Sequence, residues 1–107
     1  MDKFQVVFSL HFKKGMEHQG MQFVENKYAK KAIESGLQEF RAWQDINDPS
    51  HYIFTGHWNN KELLHKYQSQ ANWEAAQREL TQYCSQPPKK AIYKILDKAQ
   101  GQQRRAA

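Results

Sequence analysis

Five histidines, one cysteine and a set of tryptophans and tyrosines are the side chains here whose types could do chemistry. Histidine comes first, because an imidazole titrates near pH 6.5 and serves equally well as base or metal ligand. His11 ends one alternating apolar run and His57 ends another; antiparallel strands would hold them about 20 Å apart at roughly 3.3 Å per residue. One subunit therefore cannot bring both to one metal. His11 and His51 can approach each other at one rim, but no carboxylate or third histidine is expected on that face, so no metal site is expected. His57 is a candidate general base, and an interface imidazole bonded to Thr55 or to a backbone carbonyl is the competing reading. His18 precedes an apolar stripe and His65 projects away from Leu64 and Tyr67, which makes both solvent-facing. Cys84 lacks a companion cysteine or an evident histidine partner, so neither an intramolecular disulfide nor a nucleophilic role is expected.

The elements that must position these residues follow from periodicity. In FQVVFSLHF, residues 4–12, Phe4, Val6, Phe8, Leu10 and Phe12 share one face of a strand. Met21, Val24, Tyr28 and Ala32 then recur at spacings of three and four, flanked by Ala29 and Ile33, as one stripe of a helix that Gly36 stops; Gly20 weakens its start. Residues 37–46 and 51–58 read as two strands joined by the turn formers NDPS. In GHWNNKELLHKY, residues 56–67, Asn59 can cap a helix with Glu62 returning a bond three residues later. That helical region carries two apolar patches, Leu63, Leu64 and Tyr67, then Trp73, Ala76, Leu80 and Tyr83, with a break expected near residues 69–72. Pro87 and Pro88 bar continuation, and AIYKIL, residues 91–96, reads as a last strand.

The order is strand, helix, strand, strand, helix, strand. An α+β ferredoxin-like βαββαβ sandwich, with an antiparallel sheet and two helices on one face, is the economical solution. Residues 1–97 are expected to form that single domain, followed by a polar, mobile tail at 98–107. The net charge of +5 comes from lysine pairs such as Lys13–Lys14, Lys30–Lys31 and Lys89–Lys90, which spread over a solvated surface. Nothing at the amino end reads as a secretory signal, and no run approaches the roughly 18 apolar residues of a membrane span, so a cytoplasmic protein with no membrane partner is expected.

The first and third strands of such a sheet are central. Their helix-side residues are aromatic, and their other face carries Val7, Ser9, His11, Ile53, Thr55 and His57, with Arg41 and Trp43 from the second strand. A solvated face would alternate in charged residues; this one carries few, so a second copy of the same sheet is expected to cover it in a homodimer. The RNA-recognition fold shares this element order, but its readers put stacking rings on the open face of the central strands. None stands here, so no nucleic-acid partner is expected.

Gly36 with Leu37, followed by WQDINDPSHYIFTGHWNNKELLHKYQSQANW, resembles the antibiotic biosynthesis monooxygenase (ABM) domains of the dimeric alpha-beta barrel superfamily. The resemblance spans about residues 4–96. It implies a dimeric α/β barrel and a pocket on the helix side of the sheet, with Trp58, Tyr67, Trp73, Phe8 and Phe54 as ligand-binding residues. It also implies a cofactor-independent monooxygenase acting on, or binding, a small aromatic compound of quinol or polyketide type. A non-catalytic dimeric binding protein of the same fold is the alternative. The competing reading, and the commoner one for aromatics at helical spacing, is plain core filling.

Cofactor-free oxygenation of this kind needs an apolar slot, a base and a donor for a developing oxyanion. The polar candidates on the helix side are Tyr52, Tyr67, Asn59, Asn60 and Gln77; no catalytic base is identified among them. The haem-degrading branch of the same family relies on an asparagine, a tryptophan and an iron-ligating histidine, where this chain resembles it with Phe8, Tyr67 and Gln77. A phenyl ring donates no hydrogen bond and a carboxamide is a poor iron ligand, so neither haem nor any other cofactor is expected.

Overall fold

The computed structural model describes residues 2–69 and 73–96, the side chains of Trp73 and Glu74 excepted. Residues 70–72 of the break expected near 69–72, the side chain of Trp73 and the tail therefore lie outside the described residues, while the helix before the break ends at Gln68. The elements are β1 (Phe4–His11), α1 (Glu17–Phe23), a π turn (Val24–Ala29), α2 (Lys30–Glu34), β2 (Gln38–Asp45), β3 (Asp48–Trp58), α3 (Lys61–Gln68), α4 (Trp73–Thr81) and β4 (Lys89–Lys94). The strands form one antiparallel sheet in the order β2-β3-β1-β4. This is the α+β, ferredoxin-like arrangement expected from the alternation. No helix among the described residues is long and apolar enough to cross a membrane.

Register decides which side chains meet. Phe8 stands opposite Phe54 and Leu10 opposite Tyr52 on the central pair, while Phe8 faces Lys90 across to β4. Period-two alternation then puts Phe8, Phe54 and Trp58 under the helices, and Ser9, Ile53 and His57 on the opposite face. The helix-side residues build two clusters. One gathers Phe8, Leu10, Phe12, Phe23, Tyr28, Phe54 and Leu80; the other centres on Trp58, Ala32 and Leu64. Each such side chain removed from water contributes roughly 1.5–3 kcal/mol, so these clusters rather than helix propensity hold the short helices in place.

Four local outcomes differ from expectation, each for a physical reason. The first helix is interrupted by a π turn, whose wider winding turns Tyr28 and Ala29 inward together, while Ile33 is left half exposed. Gly20 is not a weak point of α1: a β-carbon there would stand 2.3 Å from the Phe12 ring, so only glycine lets the helix approach β1. The β2–β3 connection is Ile46 and Asn47 alone, because β3 already begins at Asp48. The Asp45 carboxylate accepts the Asn47 N–H at 2.8 Å and fixes that turn. Finally, Asn60 rather than Asn59 caps α3, its Oδ1 accepting the Leu63 N–H at 2.9 Å.

Gly36 ends α2 at φ +116°, in the left-handed region that glycine alone enters cheaply. The Leu37 N–H returns to the Ala32 carbonyl at 2.9 Å. That closure swings the chain directly into β2.

Candidate ligand pocket

Between sheet and helices lies a pocket partly open to solvent, about 570 Å³ of empty space when its open mouth is counted in. Its floor is sheet: Val6 and Phe8 from β1, Phe40 from β2, Phe54 and Trp58 from β3, and Ile92 from β4. Its roof comes from the π turn and α2, with Val24, Tyr28, Ala29 and Ala32, and from α3, with Leu64, Tyr67 and Gln68. Phe8 and Tyr28 hold ring centroids 5.6 Å apart, Phe40 and Phe54 stack at 5.9 Å, and Trp58 meets Tyr67 at 5.3 Å. The walls are thus paired rings, each fixing its neighbour's orientation.

Of the five residues assigned to ligand binding, Phe8, Phe54, Trp58 and Tyr67 line this pocket. Trp73 lies outside the described residues as a side chain. The polar candidates divide. Tyr67 lines the pocket, but the Tyr52 hydroxyl receives the Gln44 Nε2–H at 3.0 Å, Asn60 is occupied as the cap, and neither Asn59 nor Gln77 belongs to the lining. Burial pushes the Tyr67 phenol up to about 12 and raises Tyr28 further still, with Tyr67 among its secondary causes. Both hydroxyls therefore remain neutral at physiological pH, able to donate or accept.

One lining residue was hidden by its surroundings. Lys90 belongs to a lysine pair read as solvated surface, yet it shares the helix-side face with Phe8 and Ile92 and reaches the pocket. The residue as a whole is exposed, which puts its ammonium at the mouth, where partial burial still lowers its pKa. Counting back by two from Ile92 is the signal that finds it. Among the described residues, Lys90 is the one charged side chain of the lining, which has neither an imidazole nor a carboxylate.

The opposite face of the sheet has different chemistry. The His51 ring lies between two partners, Nδ1 at 3.1 Å from the Asp45 carboxylate and Nε2 at 2.9 Å from the Ser9 hydroxyl. His11 stacks on it, centroids 4.1 Å apart and planes 5° from parallel, with Asp48 3.9 Å from His11 Nδ1. The expectation that no carboxylate shares this rim is thus corrected. Asp45 continues the odd-numbered face of Arg41 and Trp43, and hydrogen bonds from Asn47 and His51 hold its pKa below the ordinary carboxylate value. Even so, among the described residues no three His, Cys, Asp or Glu side chains gather closely enough to hold a metal ion. Further along, Trp43 donates its Nε1–H to Thr55 Oγ1 at 2.8 Å, so His57 pairs instead with Glu39, 3.8 Å from its Nδ1. Cys84 is buried and free, its thiol pushed up by that burial, as expected of a structural rather than reactive cysteine.

No protein-family model and no curated protein matches the sequence. Solved structures do match. A Deinococcus radiodurans protein provisionally described as an antibiotic biosynthesis monooxygenase superposes with a TM-score of 0.74 at 17% identity, covering 87% of this chain and 92% of that one. Proteins with the same provisional description from Nitrosomonas europaea (TM-score 0.72, 14% identity, 88% and 90% covered) and Bordetella bronchiseptica (0.70, 13%, 90% and 99%) agree with it. The chain has the ABM fold. The likeness runs through nearly the whole length of both partners at low identity, so what it carries across is architecture: a sheet with its helices on one side.

Proposed function

We propose that this ABM-like chain is a cofactor-independent monooxygenase acting on a small aromatic compound of quinol or polyketide type. The observation that carries the proposal is the pocket itself, walled by paired rings, with two phenols and one ammonium in its lining. A few polar groups in an otherwise apolar site set the orientation of a ligand. Trp58, Tyr67, Phe8 and Phe54 would hold the ring system, with Trp73 assigned to the same role from the sequence.

The chemistry asks little of the protein beyond charge control. A phenol that loses its proton becomes nucleophilic at ring carbon and adds dioxygen. The resulting hydroperoxide loses water and leaves a quinone, one oxygen atom entering product and the other leaving in water. Lys90 favours the phenolate by placing a cation at the pocket mouth, and the Tyr67 hydroxyl can donate to the developing oxyanion.

A non-catalytic binding protein is the second reading. What favours it is that the described lining offers no imidazole or carboxylate to take the phenol proton. Oxygen consumption with a panel of quinols separates the two. Turnover that falls in Trp58→Ala and Tyr67→Ala supports the enzyme; tight binding without turnover supports the alternative; turnover indifferent to both substitutions removes the site assignment.

We further propose a homodimer through the free sheet face, where Trp43 and Tyr93 are 52% and 57% exposed beside Val7 and Ile53. Large rings left half in water beside apolar Val7 and Ile53 favour association. A stable pair would cover roughly 800 Å² per partner. Sedimentation at micromolar concentration tests it, a lone subunit being the contrary result. A cytoplasmic setting is proposed on the strength of the single free thiol.

A further inference from the structure

Strand register sets the pocket floor as rows across the helix side of the sheet. Phe54, Phe8 and Lys90 stand side by side in one row, Gly56, Val6 and Ile92 in the next, and Trp58 in the third. Residues two apart along a strand are separated by roughly 7 Å, so about 13 Å divides the row of Lys90 from that of Trp58. The middle row is the shallow one, because Gly56 carries no side chain and Leu37 leans over its place. An aromatic ring lying over Val6 is therefore one row from the Phe8 ring and one from the indole. Lys90 flanks it from β4, the edge strand.

The charged and phenolic groups of the described lining favour an anion. Lys90 supplies positive charge, and burial keeps the Tyr28 and Tyr67 phenols protonated, as neutral donors. Neither a carboxylate nor an imidazole stands among them, so a neutral phenol that entered would meet no group suited to take its proton. The kind of cation matters too. An ammonium is a compact point charge that suits a single oxygen, whereas the guanidinium fork suits the two of a carboxylate. Partial burial lowers the Lys90 pKa, and an anion beside it acts in the opposite sense, so ligand and lysine hold each other charged.

We propose, resting on the oxygenase reading for the ring chemistry, that the pocket admits its substrate already ionised: the substrate class is acidic phenols and enols, whose neighbouring carbonyl groups leave them as anions in neutral water, and Lys90 is the specificity-determining residue. The proton goes to solvent before entry, which is why the lining needs no base. Burying an anion is unfavourable unless a cation accompanies it. Lys90 therefore decides which form of a phenol enters, and without it the apolar walls select the neutral form. Among quinols, those bearing an acyl group are favoured over the bare ring. Lys90, Tyr28 and Tyr67 are the titratable groups of the described lining, with Glu79 of α4 and Cys84 acting on Tyr28.

The test is equilibrium binding of p-nitrophenol to the full chain, followed by absorbance, because only its anion is yellow. In buffer near the phenol's own pKa, adding protein should deepen the yellow, the ionisation constant rising about tenfold or more on binding, the scale of a hydrogen bond to a charged group. p-Nitroanisole, of similar shape but with no proton to lose, should bind at least about tenfold more weakly than the anion. Lys90→Met should reverse the colour change and bleach the bound phenol. Lys89→Met, on the other face of the same strand, should leave the deepened yellow as it is, which separates a cation in the pocket from the net charge of the chain. The colour change in the unaltered protein needs no variant to fold. Bleaching by the unaltered protein, no binding of either compound, an equal effect of Lys89→Met, or tighter binding of p-nitrobenzoate than of nitrophenolate overturns the proposal. Deepened yellow without oxygen consumption on quinols removes the oxygenase reading and leaves the anion selectivity standing; oxygen consumption with a bleached phenol does the reverse.

Discussion

The two faces of the one sheet present opposite chemistries from the same strands. On the helix side, Phe8, Phe54 and Trp58 are each below a tenth exposed, and recognition there is a matter of shape and ring contact. On the other side, Ser9, His51, Thr55 and His57 are half-buried and joined by hydrogen bonds and ion pairs. One residue's step along a strand separates them. The lesson is that alternation does more than divide inside from outside: here it separates a face that stores stability from a face that stores polar chemistry.

The largest test of that contrast is Trp58→Ala. Trp58 is 2% exposed and anchors the second cluster, so its loss should cost about 3–5 kcal/mol in urea unfolding. Gly20→Ala comes next, at about 1–3 kcal/mol, since the Phe12 ring, itself 1% exposed, has to yield to the added methyl group. Asn60→Ala should cost about 1 kcal/mol by leaving the Leu63 N–H uncapped, again read from urea midpoints. On the polar face, Thr55→Val should change stability by no more than about 0.5 kcal/mol, because its bond to Trp43 is exposed. A larger loss there than at Asn60 would break the contrast.

Acid and alkali sharpen it further. Asp45 titrates below the ordinary carboxylate value, so its contribution is whole above about pH 4 and is lost as pH falls through its lower folded pKa. Asp45→Asn should flatten that acid limb in a melting-temperature series. Tyr67 behaves in the opposite sense. Its folded pKa of about 12 lies above the ordinary value of about 10, so the unfolded chain ionises first and stability falls as pH rises from 10 towards 12. Tyr67→Phe should lessen that alkaline loss.

Most of the fold was legible because alternation and helical spacing are long signals. Phe4 to Phe12 alone specify β1 and its buried face, and the element order then leaves few topologies. What sequence reasoning missed were short-range decisions. The π turn follows from packing against the sheet, which no residue between Val24 and Ala29 announces. The Asp45–His51 pairing was obscured by reading residues 47–50 as loop, although counting by two from Arg41 and Trp43 arrives at Asp45. Lys90 was masked by Lys89: adjacent lysines suggest solvent, but on a strand adjacent residues must point to opposite sides.

The π turn has a bearing on how such a hollow changes size. It packs one more residue into its winding than an ordinary helical turn, and the segments before and after it keep their own seats, Gly20 on Phe12 and Ala32 beside Trp58. Deleting a single amino acid between Val24 and Ala29 would let the winding tighten without dislodging either neighbour. Tolerance to insertion and deletion is thus built into the ceiling over the ligand space, and remodelling there needs no rearrangement of the strands beneath.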